Sequence, residues 1–170
     1  MGTAQIPEQY VLEDDGTIPN SRLPLLVYAD ALPEDAGAVE RLFTGNGWSG
    51  CWRNGVFSYH HYHTTSHEVL GCYRGSASVL FGGPNGVMLE VRAGSAVIIP
   101  AGVGHKRIDS SAGFAVVGAY PSGMSYDTCY GDSAERPAAD KRIARVPVPD
   151  TDPVQGAGGP LCTIWKRTAG

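Results

Sequence analysis

Nothing in these 170 residues prepares a basic or a membrane-facing surface. No lysine or arginine run is present, and 13 basic against 17 acidic residues leave a formal charge of −4. That balance argues against nucleic acid and anionic membranes and leaves a small molecule as the default partner. No segment approaches membrane-spanning length, and the opening MGTAQIPEQYVLEDDG carries acids where a signal peptide needs a basic region and an apolar core. A cytoplasmic protein is expected. Cysteine is scarce, and Cys51, Cys72, Cys129 and Cys162 form no CxxC pair, so free thiols are expected. Internal repeats are absent, which excludes a duplicated domain. What is abundant is glycine (23) and proline (12), a composition that favours short strands and tight turns over long helices. The length suits one domain that buries roughly two thirds of its unfolded surface.

Residues 1–22 are polar and turn-rich and read as an arm that docks through Ile6, Tyr10 and Leu12. LPLLVY (Leu23 to Tyr28) is the first strand, with Pro24 at its start as on an edge strand. From Pro33 to Thr44 the spacing of Ala36, Val39, Leu42 and Phe43 predicts one short helix, started by Glu34 and Asp35 and stopped by Gly45 or Gly47. Trp48 and Trp52 follow in WSGCWRN and read as packing residues. SASVLFGG and VMLEVRAG flank a PNG turn as a hairpin with Val79 and Phe81 on one face. AVIIP and FAVVGAYP complete about eight strands between Leu23 and Tyr120. Residues 122–170 read as a second arm, too apolar to be disordered throughout, in which only CTIW looks like a strand.

The chemistry concentrates between Gly55 and Gly75, in GVFSYHHYHTTSHEVLGCYRG. If the approach to His63 is extended, Phe57, Tyr59, His61 and His63 share one face, and His60 points the other way. A turn over Thr64 to His67 then lets Glu68 open a second run, EVLGCYRG, returning antiparallel beside the first. His61, His63 and Glu68 converge in that arrangement. A turn slipped by one residue would bring His67 instead of Glu68. Neutral imidazole and carboxylate are good ligands for first-row metals. A fourth ligand is available in GSAVIIPAGVGHKRID, where Pro100 and a glycine-rich turn lead to His105.

The two stretches resemble the two cupin motifs. G-x5-H-x-H-x4-E-x6-G runs from Gly55 to Gly75, and G-x5-P-x-G-x2-H runs from Gly94 to His105, with Asp109 where many cupins carry asparagine. More finely, DDGTIPNSRLPLLVY, NGWSGCWRNGVFSYHHYH, VVGAYPSG and DPVQGAGGPL are similar to the single-domain cupins labelled YjlB-like. The resemblance implies an all-β fold, a double-stranded β-helix or cupin jelly-roll barrel over residues 23–121, with one short N-terminal helix and extended N- and C-terminal arms. It also implies that His61, His63, Glu68 and His105 bind one divalent transition metal ion: iron first, with manganese, nickel, cobalt or zinc as alternatives.

Tyr59, Cys72, Arg107 and Asp109 share the ligands' inward parity. Tyr59 is the candidate proton carrier, and Arg107 the candidate partner for Asp109 or for a substrate carboxylate. The resemblance to cupins implies an oxidoreductase of dioxygenase type acting on a small organic substrate, and a set of three histidines and a glutamate leaves the open metal positions that such chemistry requires. A non-redox isomerase or lyase, and a binding or sensing module without turnover, are the competing readings. A homodimer is expected because jelly-roll edges need covering.

Overall fold

The computed structural model describes residues 5–169; the first four residues of the N-terminal arm lie outside them. In chain order the elements are β1 (Glu8–Leu12), β2 (Ser21–Tyr28), α1 (Ala36–Gly45), β3 (Trp48–Asn54), β4 (Glu68–Arg74), β5 (Ser76–Phe81), β6 (Val87–Arg92), β7 (Ala96–Ile99), β8 (His105–Ser110) and β9 (Ala115–Pro121). Then come α2 (Ala138–Ala144), the short pair β10 (Thr151–Asp152) and β11 (Gly156–Ala157), and α3 (Pro160–Ala169).

Two sheets make a double-stranded β-helix that does not close by hydrogen bonding. One has the order β1-β2-β7-β4-β9-β3 and the other β6-β5-β8, with antiparallel pairing throughout. Between them lies an apolar layer that includes Leu25, Leu70, Val79, Phe81, Val97 and Ile99. The period of two shows in β4 and β7: Leu70, Val97 and Ile99 face this layer, while Val69 and Ile98 face the opposite one. That opposite layer is a second core on the outer face of the large sheet, where Phe43 of α1 and Leu161 and Trp165 of α3 join Trp48 of β3. A sheet covered on both faces needs apolar residues on both, so β9 is buried along its whole length.

The helix expected over Pro33 to Thr44 starts later. Asp35 accepts a hydrogen bond from Ala38 N at 2.7 Å as its N-cap, which leaves Pro33 and Glu34 outside the first turn. The arm before Leu23 becomes β1, paired with β2 of its own chain; Leu12 is buried, but Ile6 does not dock and stays exposed. The strand expected at CTIW is corrected to helix α3. Pro160 opens it, and Leu161, Cys162 and Trp165 fall on one helical stripe, all buried. Local β-propensity loses here to that stripe.

Buried Asp152 pins this second arm to the sheet, accepting from Tyr28 Oη at 2.5 Å, Leu161 N at 3.1 Å, Val154 N at 2.8 Å and Gln155 N at 3.0 Å. Burial, and then the carboxylate beside it, raises the Tyr28 phenol well above its ordinary range. All four cysteines are free thiols. Among the described residues no helix is long and apolar enough to cross a membrane.

Candidate metal centre

The corner Thr64 to His67 does not return β4 beside the histidine segment. His61 instead bridges to His105, exchanging backbone hydrogen bonds of 3.3 and 2.9 Å, and Tyr62 bridges to Cys129. Glu68 begins β4, in the other sheet, between β7 and β9. The hairpin reading is therefore corrected: the corner crosses from one sheet to the other, and the glutamate approaches the histidines from across the layer. Buried Thr64 and Ser66 can occupy such a corner because their polar groups are bonded. Asp127 accepts from Thr64 N at 2.6 Å and from the Thr64 hydroxyl, and Ser66 Oγ donates to the His67 carbonyl at 2.7 Å.

His61, His63 and His105 are buried, with one nitrogen of each within 4.8 Å of the others. Each Nδ1 faces a backbone carbonyl: Tyr59 O at 3.1 Å, Asp127 O at 2.5 Å and Val103 O at 3.2 Å, respectively. An Nδ1–H donated to a carbonyl fixes the tautomer that leaves the Nε2 lone pair free, which is the form that ligates a metal. Glu68 Oε1 lies 3.5 Å from His63 Nε2 and 3.5 Å from His105 Nε2. Two ligands each ~2.1 Å from one ion at a tetrahedral angle lie about 3.4 Å apart, so these groups fit a single ion. The loop carrying His105 demands glycine at 102, whose φ is +97° and where a Cβ would sit 2.4 Å from Asn20 O.

The electrostatics agree with an ion-binding arrangement. Burial, and then the neighbouring His105, depress His61 to about 3, so it stays neutral. At His63 burial opposes charge, but the Glu68 carboxylate and the Asp127 carbonyl outweigh it and raise the imidazole above its ordinary range. Burial alone would raise Glu68, yet His63 and His105 hold its carboxyl below the usual carboxylate range. Either a proton on His63 or a cation must balance that carboxylate.

The cluster opens into a cavity of about 520 Å³, lined in part by Trp52, Phe57, Arg107, Phe114, Tyr120 and Tyr126. Tyr120 is the hydroxyl that sequence reasoning missed. It donates to Glu68 Oε2 at 2.7 Å and accepts from Trp52 Nε1 at 2.7 Å, which leaves Oε1 for the histidine side. Its inward position on FAVVGAYP was the available signal. Tyr126 was missed too; its ring stacks on Tyr120 at 4.6 Å and meets His63 at 5.2 Å.

Of the expected neighbours, Arg107 is on the cavity wall, whereas Tyr59 is not. The backbone bends at residues 58–59; the Tyr59 ring stays on the side of Phe57, at 4.9 Å, and of His61, at 5.8 Å, but does not line the cavity. Cys72 points inward but into the apolar layer, where burial raises its thiol to about 11. Asp109 does not meet Arg107. The strand partners Val79↔Arg107 and Ser78↔Asp109 show that β8 carries one extra residue between them, which puts Asp109 on the exposed face. His60 stays outside the cluster, with a buried Nδ1 that has no partner. His67 is outside as well: its Nδ1 accepts from Ala101 N at 2.9 Å, its Nε2 meets Pro147 O at 3.1 Å, and its ring lies 4.7 Å from that of Trp165.

No family model matches the chain. It is 47% identical over 161 residues, 94% of its own length and 97% of the relative's, to a Bacillus subtilis (strain 168) protein named uncharacterised protein YjlB. Among solved structures it is similar to an uncharacterised Klebsiella pneumoniae protein with a double-stranded β-helix domain (14% identity, TM-score 0.37, 78% of this chain and 85% of that one). It is similar also to acireductone dioxygenase from Bacillus anthracis with cadmium in its active centre (13%, TM-score 0.37, 51% and 59%). Pumpkin seed globulin matches at 27% with a TM-score of 0.37, over 47% of this chain and only 22% of the globulin.

Proposed function

Because this chain belongs to the YjlB-like cupins, we propose that it is a mononuclear metal-dependent oxidoreductase, dioxygenase-like, acting on a small organic substrate in the cavity beside the three histidines. The observation that supports this reading is the inward aim of three imidazole Nε2 atoms, each set by a carbonyl behind it, opposite a carboxylate held from the other sheet. His61, His63, His105 and Glu68 would hold the ion, and the set contains no thiolate. A first-row ion held by these nitrogen and oxygen donors supplies one-electron and Lewis-acid chemistry, with iron the ion proposed first.

The chain's own residues do the rest. Tyr120 fixes the rotamer of Glu68 and carries a hydroxyl at the edge of the site. Aromatic side chains line the walls, and Arg107 presents a positive charge to whatever enters.

The test is elemental analysis of protein purified without a metal-scavenging tag, followed by oxygen uptake against small enols, thiols and keto acids. Iron and substrate-dependent uptake are expected. Zinc with no uptake under reducing conditions would replace the redox reading with an isomerase or lyase. A homodimer belongs to the same proposal, since β1 is an open sheet edge carrying an exposed Val11. Light scattering that reads a monomer at micromolar concentration would remove it.

A further inference from the structure

The cavity carries a second set of groups that ion binding leaves unused. Arg107 lies two residues beyond His105 on β8, on the same wall and about 7 Å along the strand. Its Nε donates to Val56 O at 3.0 Å and its Nη1 reaches Ser110 Oγ at 3.4 Å. These two bonds hold the guanidinium in place, yet it makes no ion pair among the described residues. Arg53 shares the lining but is neutralised by Glu40 at 2.6 Å.

Around the mouth the chain leaves aromatic rings in water: Phe57 is 50% exposed, Tyr59 43%, Tyr126 49% and Tyr130 53%. Phe57, Tyr59 and Tyr130 form one connected group, and Tyr126 stacks separately on Tyr120 beside His63. Phe57 stacks on Tyr59, and Tyr59 lies 5.8 Å from Tyr130. Phe57 and Tyr126 line the cavity itself. Exposed apolar surface gathered at one opening marks a binding site. The formal charge has the complementary sense. A divalent ion, three neutral imidazoles and one carboxylate leave one positive charge, and Arg107 adds another, in a chain that is acidic overall.

We infer that the cavity takes an aromatic carboxylate, its carboxylate on Arg107, its ring against Phe57 and Tyr126, and its far end directed at the histidine cluster. A planar fork facing a carboxylate gives two parallel hydrogen bonds, and rings of this kind offer a π surface to an aryl group. The inference rests on the metal-centre reading only for the far end of the ligand; Arg107 and the aromatic walls need no ion.

Titration calorimetry of the full chain tests it, with chelator-treated and zinc-loaded protein and the probes benzoate, benzamide, cyclohexanecarboxylate and 4-hydroxybenzoate. Benzoate should bind with or without the ion, and benzamide and cyclohexanecarboxylate more weakly, benzamide by about tenfold or more. Arg107→Gln should lose a similar factor for benzoate and Arg107→Lys should regain part of it, while Phe57→Ala and Tyr126→Ala should weaken benzoate more than cyclohexanecarboxylate. 4-Hydroxybenzoate should gain affinity on zinc loading.

Equal binding of benzoate and benzamide to the wild type overturns the arginine clamp, even if Arg107→Gln fails to fold. Equal binding of benzoate and cyclohexanecarboxylate overturns the aromatic class. No gain for 4-hydroxybenzoate on zinc loading overturns the proposed orientation. Binding in chelated protein together with absent oxygen uptake would sink the redox reading alone.

Discussion

His67 and Glu68 are adjacent in sequence and do opposite work. Glu68 is turned to the histidine cluster and kept ionised, whereas His67 is buried under the second arm and kept neutral, burial depressing it to about 4 from an ordinary 6.5. Between those two values the unfolded chain binds the proton that the folded one refuses, so stability falls with falling pH, by about 3 kcal/mol in all. Urea unfolding of chelated wild type and His67→Gln at pH 7.5 and pH 5 should show the wild type losing about 2 kcal/mol of its advantage. An unchanged difference would mean that His67 is not held neutral. At the cluster, His61→Ala and His105→Ala should each empty the site by elemental analysis, while His60→Ala keeps the ion. Tyr120→Phe leaves Glu68 Oε2 without its donor and should weaken metal affinity by about 10- to 100-fold, read by competition with a chelator.

At the scale of elements, β3 and β9 meet where one residue has to be glycine. The Trp52 ring lies so close to Gly118 that an added Cβ would sit 2.1 Å from Trp52 Cε2. The same ring donates to Tyr120, so strand packing and Glu68 orientation are joined through one side chain. Gly118→Ala should cost about 1–3 kcal/mol by denaturant unfolding, shift tryptophan fluorescence and weaken metal affinity together. A stability loss with unchanged affinity would separate the two. The strand β8 shows how little of such a join is visible beforehand. Arg107 could be placed inward by counting from His105, but the extra residue before Asp109 reversed the next step.

For the whole molecule, the C-terminal arm completes the fold's second core by adding Leu161, Cys162 and Trp165 to it. Trp165 is fully buried on the outer face of the large sheet, and its Nε1 donates to Pro24 O at 2.9 Å. Trp165→Ala should cost about 3–5 kcal/mol in urea unfolding. Ending the chain before Pro160 should expose this face and leave the protein aggregation-prone, which size exclusion would read directly. A truncated chain that keeps the elution volume per mass and the stability of the full chain would show that the inter-sheet core suffices.

The two motifs marked His61, His63 and His105 as one set through their resemblance to the cupin pair, because motif spacing can be read from the chain itself. Alternation likewise determined the β5–β6 hairpin, and a helical stripe determined α1. Only the tertiary structure decided which sheet delivers Glu68, that Tyr120 and not Tyr59 stands beside it, that Tyr126 reaches the cavity from the segment after β9, and that CTIW is helical. Each of these depends on pairing between residues distant in sequence: His61 with His105, Tyr62 with Cys129, Trp165 with Pro24. Such pairings are selected by burying both faces of the large sheet at once, a condition that no local window of the sequence contains.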